Sequence, residues 1–158
     1  YRRVLAEGLA QADGRPELLN DRGAMLAYDG HNGLGQYVGK VVIEQAIERT
    51  QAHGQCILTL RRSHHLGRMG HYGEMVAAKG LILLAFTNVI NRAPTVAPFG
   101  GARACLTTKP LCVAGPLPGG RPPFIVDMAT SSIAVNKARV LAAKGESLTV
   151  DQPIVEIA

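Results

Sequence analysis

C-I-L-T-L-R-R-S-H-H-L-G-R-M-G-H-Y-G-E-M-V-A-A-K-G-L-I-L-L-A-F-T, Cys56 to Thr87, sets an apolar run, a glycine-rich turn with three histidines, a helix-like stretch and a second apolar run in succession. Cys56 to Leu60 reads as a buried strand. Tyr72, Met75, Val76 and Lys79 lie at helical spacing before Gly80, and Leu81 to Thr87 is a strand rich in Leu and Ile. Strand, helix, strand in close succession implies a crossover unit and an α/β fold. The turn between them, Arg62 to Gly73, carries His64, His65 and His71. Histidine titrates near neutrality and suits proton transfer, and catalytic groups commonly sit on loops that a rigid scaffold holds.

Outward from this stretch, helical and extended signals alternate without a repeat. Tyr1 to Gln11 reads as the tail of a helix, stopped by Gly14 and Pro16, and Ala24 to Tyr28 is a short apolar run. A helix is predicted from about Tyr37 to His53, with Val38, Val42, Gln45, Ala46 and Arg49 along one line and Gly54 as its stop. Val96 to Gly101 is a turn. Leu111 to Ala114 and Phe124 to Met128 read as strands, and a last helix runs from a cap at Ser131 or Ser132 to Lys144. Glu146 to Ala158 shows no decisive pattern. These signals predict an α/β arrangement with a largely buried, mixed sheet.

The 158 residues, 47% of them apolar, suffice for one domain with a core. No run approaches the roughly 18 apolar residues of a membrane span, and no signal-peptide pattern is present. The net charge of +5 raises the question of nucleic acid, but aromatic content is 4% and the basic pairs Arg2-Arg3 and Arg61-Arg62 form no stripe, so neither nucleic acid nor membrane is expected as a partner. Cys56, Cys105 and Cys112 are odd in number with no C-x-x-C, which points to reduced thiols in a cytoplasmic protein.

Two local patterns have competing readings. Gly33, Gly35 and Gly39 form G-x-G-x-x-x-G between a strand and a helix, one residue longer than the dinucleotide fingerprint. The strand that should end in an acidic residue ends instead in Leu60, Arg61 and Arg62. The glycines read either as a phosphate cradle, with the arginines meeting a 2′-phosphate, or more simply as a tight turn. The three histidines admit metal binding, a structural role or acid/base catalysis. The H-E-x-x-H arrangement is absent, and no metal is expected.

The run S-H-H-L-G-R-M-G-H-Y-G-E-M-V-A-A-K-G-L-I-L-L-A-F-T-N-V resembles the S-N-H-F-G segment and following T-N-S of the malate/L-lactate/L-sulfolactate/ureidoglycolate dehydrogenase family. V-A-P-F-G-G is similar to that family's A-P-W-G-G, L-T-T-K-P at Leu106 to Pro110 resembles its L-G-T-N-P, and P-P-F-I-V-D-M-A-T-S at Pro122 to Ser131 resembles its P-x-V-x-D-M-A-T-S. These four ordered motifs lie between Ser63 and Ser131, and the resemblance as a whole runs from about Tyr1 to Leu148.

The resemblance implies a three-layer, non-Rossmann fold with a mixed, partly antiparallel sheet of seven strands. Residues 1–36 would form part of an N-terminal region, 37–148 the NAD(P)-binding core and 149–158 an unassigned tail. It implies a homodimeric oxidoreductase using NAD or NADP, with a small 2-hydroxy or 2-oxo acid, or a related cyclic imine, as substrate. The family's catalytic histidine falls on His65, and its cofactor contacts fall on Val89, Asp127, Met128 and Ala129. A non-catalytic binding or assembly domain on the same scaffold is the alternative. Three positions depart from the pattern: His64 stands for asparagine, Val89 for serine and Lys109 for asparagine. The family's S-H-G motif, with an arginine that would clamp a carboxylate, would precede Tyr1, so the chain alone is expected to have little activity.

Overall fold

The structure is a computed structural model that describes residues 2–89, 93–131 and 135–146. Its elements are α1 (Arg2–Ala6), β1 (Glu17–Asp21), β2 (Met25–Asp29), α2 (Gly35–His53), β3 (Ile57–Arg61), α3 (Gly70–Ala77), β4 (Leu83–Phe86), β5 (Leu111–Gly115), β6 (Phe124–Met128) and α4 (Val135–Ala143). The strands lie in two three-stranded sheets, β1-β2-β3 and β4-β5-β6. The first sheet is mixed, with β1 antiparallel and β3 parallel to β2. The fold is α/β, as the sequence predicts.

The crossover falls one element earlier than the sequence reading places it. β3 and β4 belong to different sheets, and the parallel pair is β2 with β3, joined through α2. Parallel neighbours need a long connection, which the 19-residue α2 provides. That helix buries Val38 and Val42, one turn apart on the same face, and Ile47 on another face, and it ends at Gly54 in the left-handed region (φ 81°), whose N–H donates to the Thr50 carbonyl. Val42 packs with Leu26 and Tyr28 of β2, with Cys56, Leu58 and Leu60 partly buried against them. Arg49, on the same helix, grips Asp21 of β1 through two hydrogen bonds of 2.6 and 3.1 Å.

Two further expectations change. The second sheet is not largely buried: Leu84 and Phe86 on β4, and Val126 and Met128 on β6, are all exposed. β1, which the sequence reading leaves out, is exposed along its whole length and is held by backbone pairing to β2. The predicted cap at Ser132 lies outside the described residues, whereas Ser131 is buried.

By compactness the chain divides into Tyr1–Leu83 with Ala114–Phe124, and Leu84–Val113 with Ile125–Ala158.

Candidate functional site

In the first of these units, β2 and β3 end side by side, and their parallel register sets Asp29 opposite Arg61. The chain leaves β2 through His31 and Asn32 and leaves β3 through Arg62, all three in the left-handed region (φ 46°, 53° and 49°). Such backbone strains a residue with a Cβ and persists where its surroundings hold it. For His31 and Arg62 the holding group is the Asp29 carboxylate, which is 0% exposed. It accepts from Arg61 Nε at 2.9 Å, from Arg62 Nε at 2.8 and 2.9 Å and from the His31 backbone N–H at 2.9 Å. His31 Nε2 in turn meets Glu17 Oε2 at 2.6 Å.

The hydrogen bond from Arg62 is the largest influence on the Asp29 carboxyl. With the bonds from the His31 N–H and Arg61, it outweighs burial and holds the group well below the usual carboxylate range. A carboxyl more acidic in the folded than in the unfolded chain contributes stability that is complete above the unfolded pKa, about 3.9, and is lost as pH falls through the folded value. In thermal melts, Asp29→Asn should lie furthest below the wild type at neutral pH and approach it below about pH 4. A gap that widens on acidification would contradict this charge state.

The histidine loop runs on from this cluster. The Asn32 N–H donates to the Arg62 carbonyl at 2.6 Å and the His64 N–H to the Gly33 carbonyl at 3.1 Å. At the far end the buried Tyr72 hydroxyl donates to the Leu66 carbonyl at 2.7 Å. Between these ties His65 is exposed and His64 half-buried. His71 is exposed on α3, and Glu74, three residues on, pairs with Arg68 at 2.7 Å. Among the described residues no three His, Cys, Asp or Glu side chains gather as a metal site.

The three glycines of the turn are filled by the chain itself. A Cβ at Gly33 would strike the Gly14 backbone, one at Gly35 the carbonyls of His64 and His65, and one at Gly39 the Tyr72 hydroxyl. They permit close packing of loop on helix, the simpler of the two readings, and the start of α2 faces protein backbone where a phosphate would need to lie.

In the second unit, three of the quoted motifs meet around a cavity of about 550 Å³. Phe86, Thr87, Asn88, Lys109, Pro110, Leu111 and Thr130 line it. Backbone bonds tie the segments together: the Thr87 N–H donates to the Pro110 carbonyl at 2.9 Å, and Thr130 donates to the Thr108 carbonyl through its N–H and its hydroxyl, at 3.0 and 3.1 Å. Lys109 holds a left-handed φ of 34° beside this cavity. None of the predicted cofactor residues lines it. Val89 follows Asn88 and is half-buried, Ala129 precedes Thr130 and is half-buried, and Asp127 and Met128 are exposed at the end of β6. Thr87, Asn88 and Thr130, which the sequence reading passes over, stand inside the quoted T-N-V and A-T-S motifs, and those motifs were the available signal.

A sequence profile described as malate/L-lactate dehydrogenase matches residues 1–153. The chain belongs to this family. It is 64% identical over 146 residues to an L-lactate dehydrogenase of Cupriavidus necator, covering 92% of the chain and 42% of that protein. A hydroxycarboxylate dehydrogenase B of Escherichia coli is 34% identical over 145 residues, covering 92% of the chain and 40% of that protein. The sulfolactate dehydrogenase structure from Methanocaldococcus jannaschii superposes with a TM-score of 0.80 at 32% identity, over 94% of this chain and 42% of that one. The chain thus spans about two-fifths of the length of these malate/L-lactate dehydrogenase relatives.

Proposed function

We propose that this chain belongs to an NAD(P)-dependent oxidoreductase that interconverts a small 2-hydroxy acid and its 2-oxo acid. The cavity walled by Thr87-Asn88, Lys109-Pro110-Leu111 and Thr130 is the observation that carries this reading. Its volume lies in the range of small-molecule pockets, roughly 300–1,000 Å³. Its walls fit a nicotinamide cofactor: Phe86, Pro110 and Leu111 offer apolar surface to a flat ring, Asn88 can both donate to and accept from a carboxamide, and the threonine hydroxyls and the Lys109 ammonium suit ribose and phosphate oxygens. Val89, Asp127, Met128 and Ala129 extend the same contact set beyond the cavity, within a core spanning residues 37–148.

When bound, the nicotinamide supplies or accepts the hydride at the substrate C2. The C2 oxygen must gain a proton as it becomes a hydroxyl and lose one in the reverse direction. His65 holds that proton at an imidazole nitrogen, and its exposed position on a braced loop leaves it accessible to a small acid. The name of the 64% identical relative makes L-lactate and pyruvate the first pair to test. No helix among the described residues is long and apolar enough to cross a membrane. The odd number of cysteines with no C-x-x-C supports a cytoplasmic location, and the family resemblance supports a homodimer.

The test is a panel of 2-oxo acids and cyclic ketimines with NADH and NADPH, read by cofactor absorbance on the protein at its natural length. Saturable oxidation of one cofactor by a 2-oxo acid is expected. Absence of both cofactor binding and turnover across the panel would remove the proposal.

A further inference from the structure

The Asp29 cluster lies outside the motifs that identify the family, yet the histidine loop is built upon it. Two left-handed residues, His31 and Arg62, meet at one buried carboxylate, and the left-handed Asn32 beside them donates its N–H to the Arg62 carbonyl. The residue after Arg62 begins Ser63-His64-His65, so the left-handed turn at Arg62 sets the direction in which the loop departs from β3. Without its partner, Arg62 would relax toward a commoner backbone conformation, because a positive φ is strained for any residue with a Cβ. Arg62 is half-exposed and could reach solvent in many rotamers; what selects one is the paired contact of its guanidinium with both Asp29 oxygens. Arg61 contributes a second cation but lies within the regular strand, where sheet pairing already fixes its backbone.

We propose that Asp29 is the positioning residue of the catalytic loop: by clamping Arg62 it fixes the turn through which the chain reaches His65, and so sets where the imidazole meets the substrate. This rests on the reading of His65 as the proton-transfer residue. Asp29 is fully buried, and it acts through Arg62 and the Asn32-to-Arg62 backbone bond.

Asp29→Asn keeps the shape of the side chain and removes its charge. Arg62→Lys keeps the cation and loses the fork, and because this side chain is half-exposed the variant serves if Asp29→Asn does not fold. Each should lower kcat, normalised to folded protein, by up to about 100-fold, the scale of a 1 Å misplacement, with cofactor KM little moved. In hydrogen exchange, the Asn32 and His64 amides should exchange at least about tenfold faster, while the Val96 amide in the other unit stays as in the wild type. In kcat the double variant should fall close to the worse of the two single variants, well short of the product of their effects, because both act on turnover through the Asp29–Arg62 contact. A wild-type kcat in these variants overturns the proposal and leaves the role of His65 standing. If instead the wild type shows no turnover, or His65→Ala keeps it, the functional reading fails; unchanged exchange at Asn32 and His64 then overturns the loop-holding role as well, and faster exchange supports it.

Discussion

Gly35→Ala should destabilise the protein by about 1–3 kcal/mol and misplace the histidine loop, although helix propensity alone predicts the opposite sign. Gly35 opens α2, and alanine is favoured over glycine within a helix by about 1 kcal/mol. Against that, a methyl group at this position would stand 2.5 Å from the carbonyl carbon of His65 and closer still to the carbonyl oxygens of His64 and His65. These are backbone atoms, and they cannot turn aside as a side chain would. Their loop is tied at Arg62, His64 and Leu66. Overpacking therefore wins over propensity. At roughly 2–4 °C per kcal/mol for a domain of this size, the melt should fall by several degrees. Lys40→Ala, an exposed change on the same helix, is the control and should melt close to the wild type. A Gly35→Ala protein as stable as the wild type would mean that the loop is not pressed on α2.

The same glycines show where the sequence was legible and where it was not. Their spacing resembled a dinucleotide fingerprint, and only the identity of what each one touches, Gly14, the His64 and His65 carbonyls, and Tyr72, separates a packing glycine from a phosphate-binding one. α2 was legible because Val38 and Val42, both buried, stand one turn apart in line with Gln45, Ala46 and Arg49, and Gly54 marks its end. β3, β5 and β6 were legible as apolar runs. Their sheet membership was not, since pairing is a matter of backbone hydrogen bonds between residues far apart in sequence; hence the misplaced crossover. β1 left no signal because none of its side chains is buried.

The site divides the same way. The resemblance of S-H-H-L-G to a family motif singled out His65, whereas residue type left metal, structure and catalysis open. Asp29 and Arg62 are 33 residues apart and belong to none of the family motifs, and the trace of their meeting is the turn-rich D-G-H-N-G that begins at Asp29. A long-range ion pair that fixes a turn is invisible to any local window. The glycine and carboxylate contacts have a common consequence, because both restrain the backbone on either side of His64 and neither touches the imidazole of His65.

His65→Ala should lower kcat by about 100- to 10,000-fold in the protein at its natural length, the usual contribution of a positioned general acid or base. Its effect on stability should be small, within about 0.5 kcal/mol, because His65 is exposed and the loop is held by backbone carbonyls and by Arg62. Cofactor affinity should stay where it is, since the cavity that we assign to the nicotinamide is walled by Thr87, Asn88, Lys109 and Thr130 with no part of the histidine loop in it. This combination separates His65→Ala from Gly35→Ala, which should lose stability and turnover together. It also separates His65 from its neighbours: His64→Asn restores the family's residue at that position and should retain turnover, and His71, exposed on α3, should be replaceable by alanine with little change. A His65→Ala protein that binds cofactor and turns over at the wild-type rate would remove His65 from the chemistry. A loss of turnover in His71→Ala as large as that in His65→Ala would instead place the proton on α3.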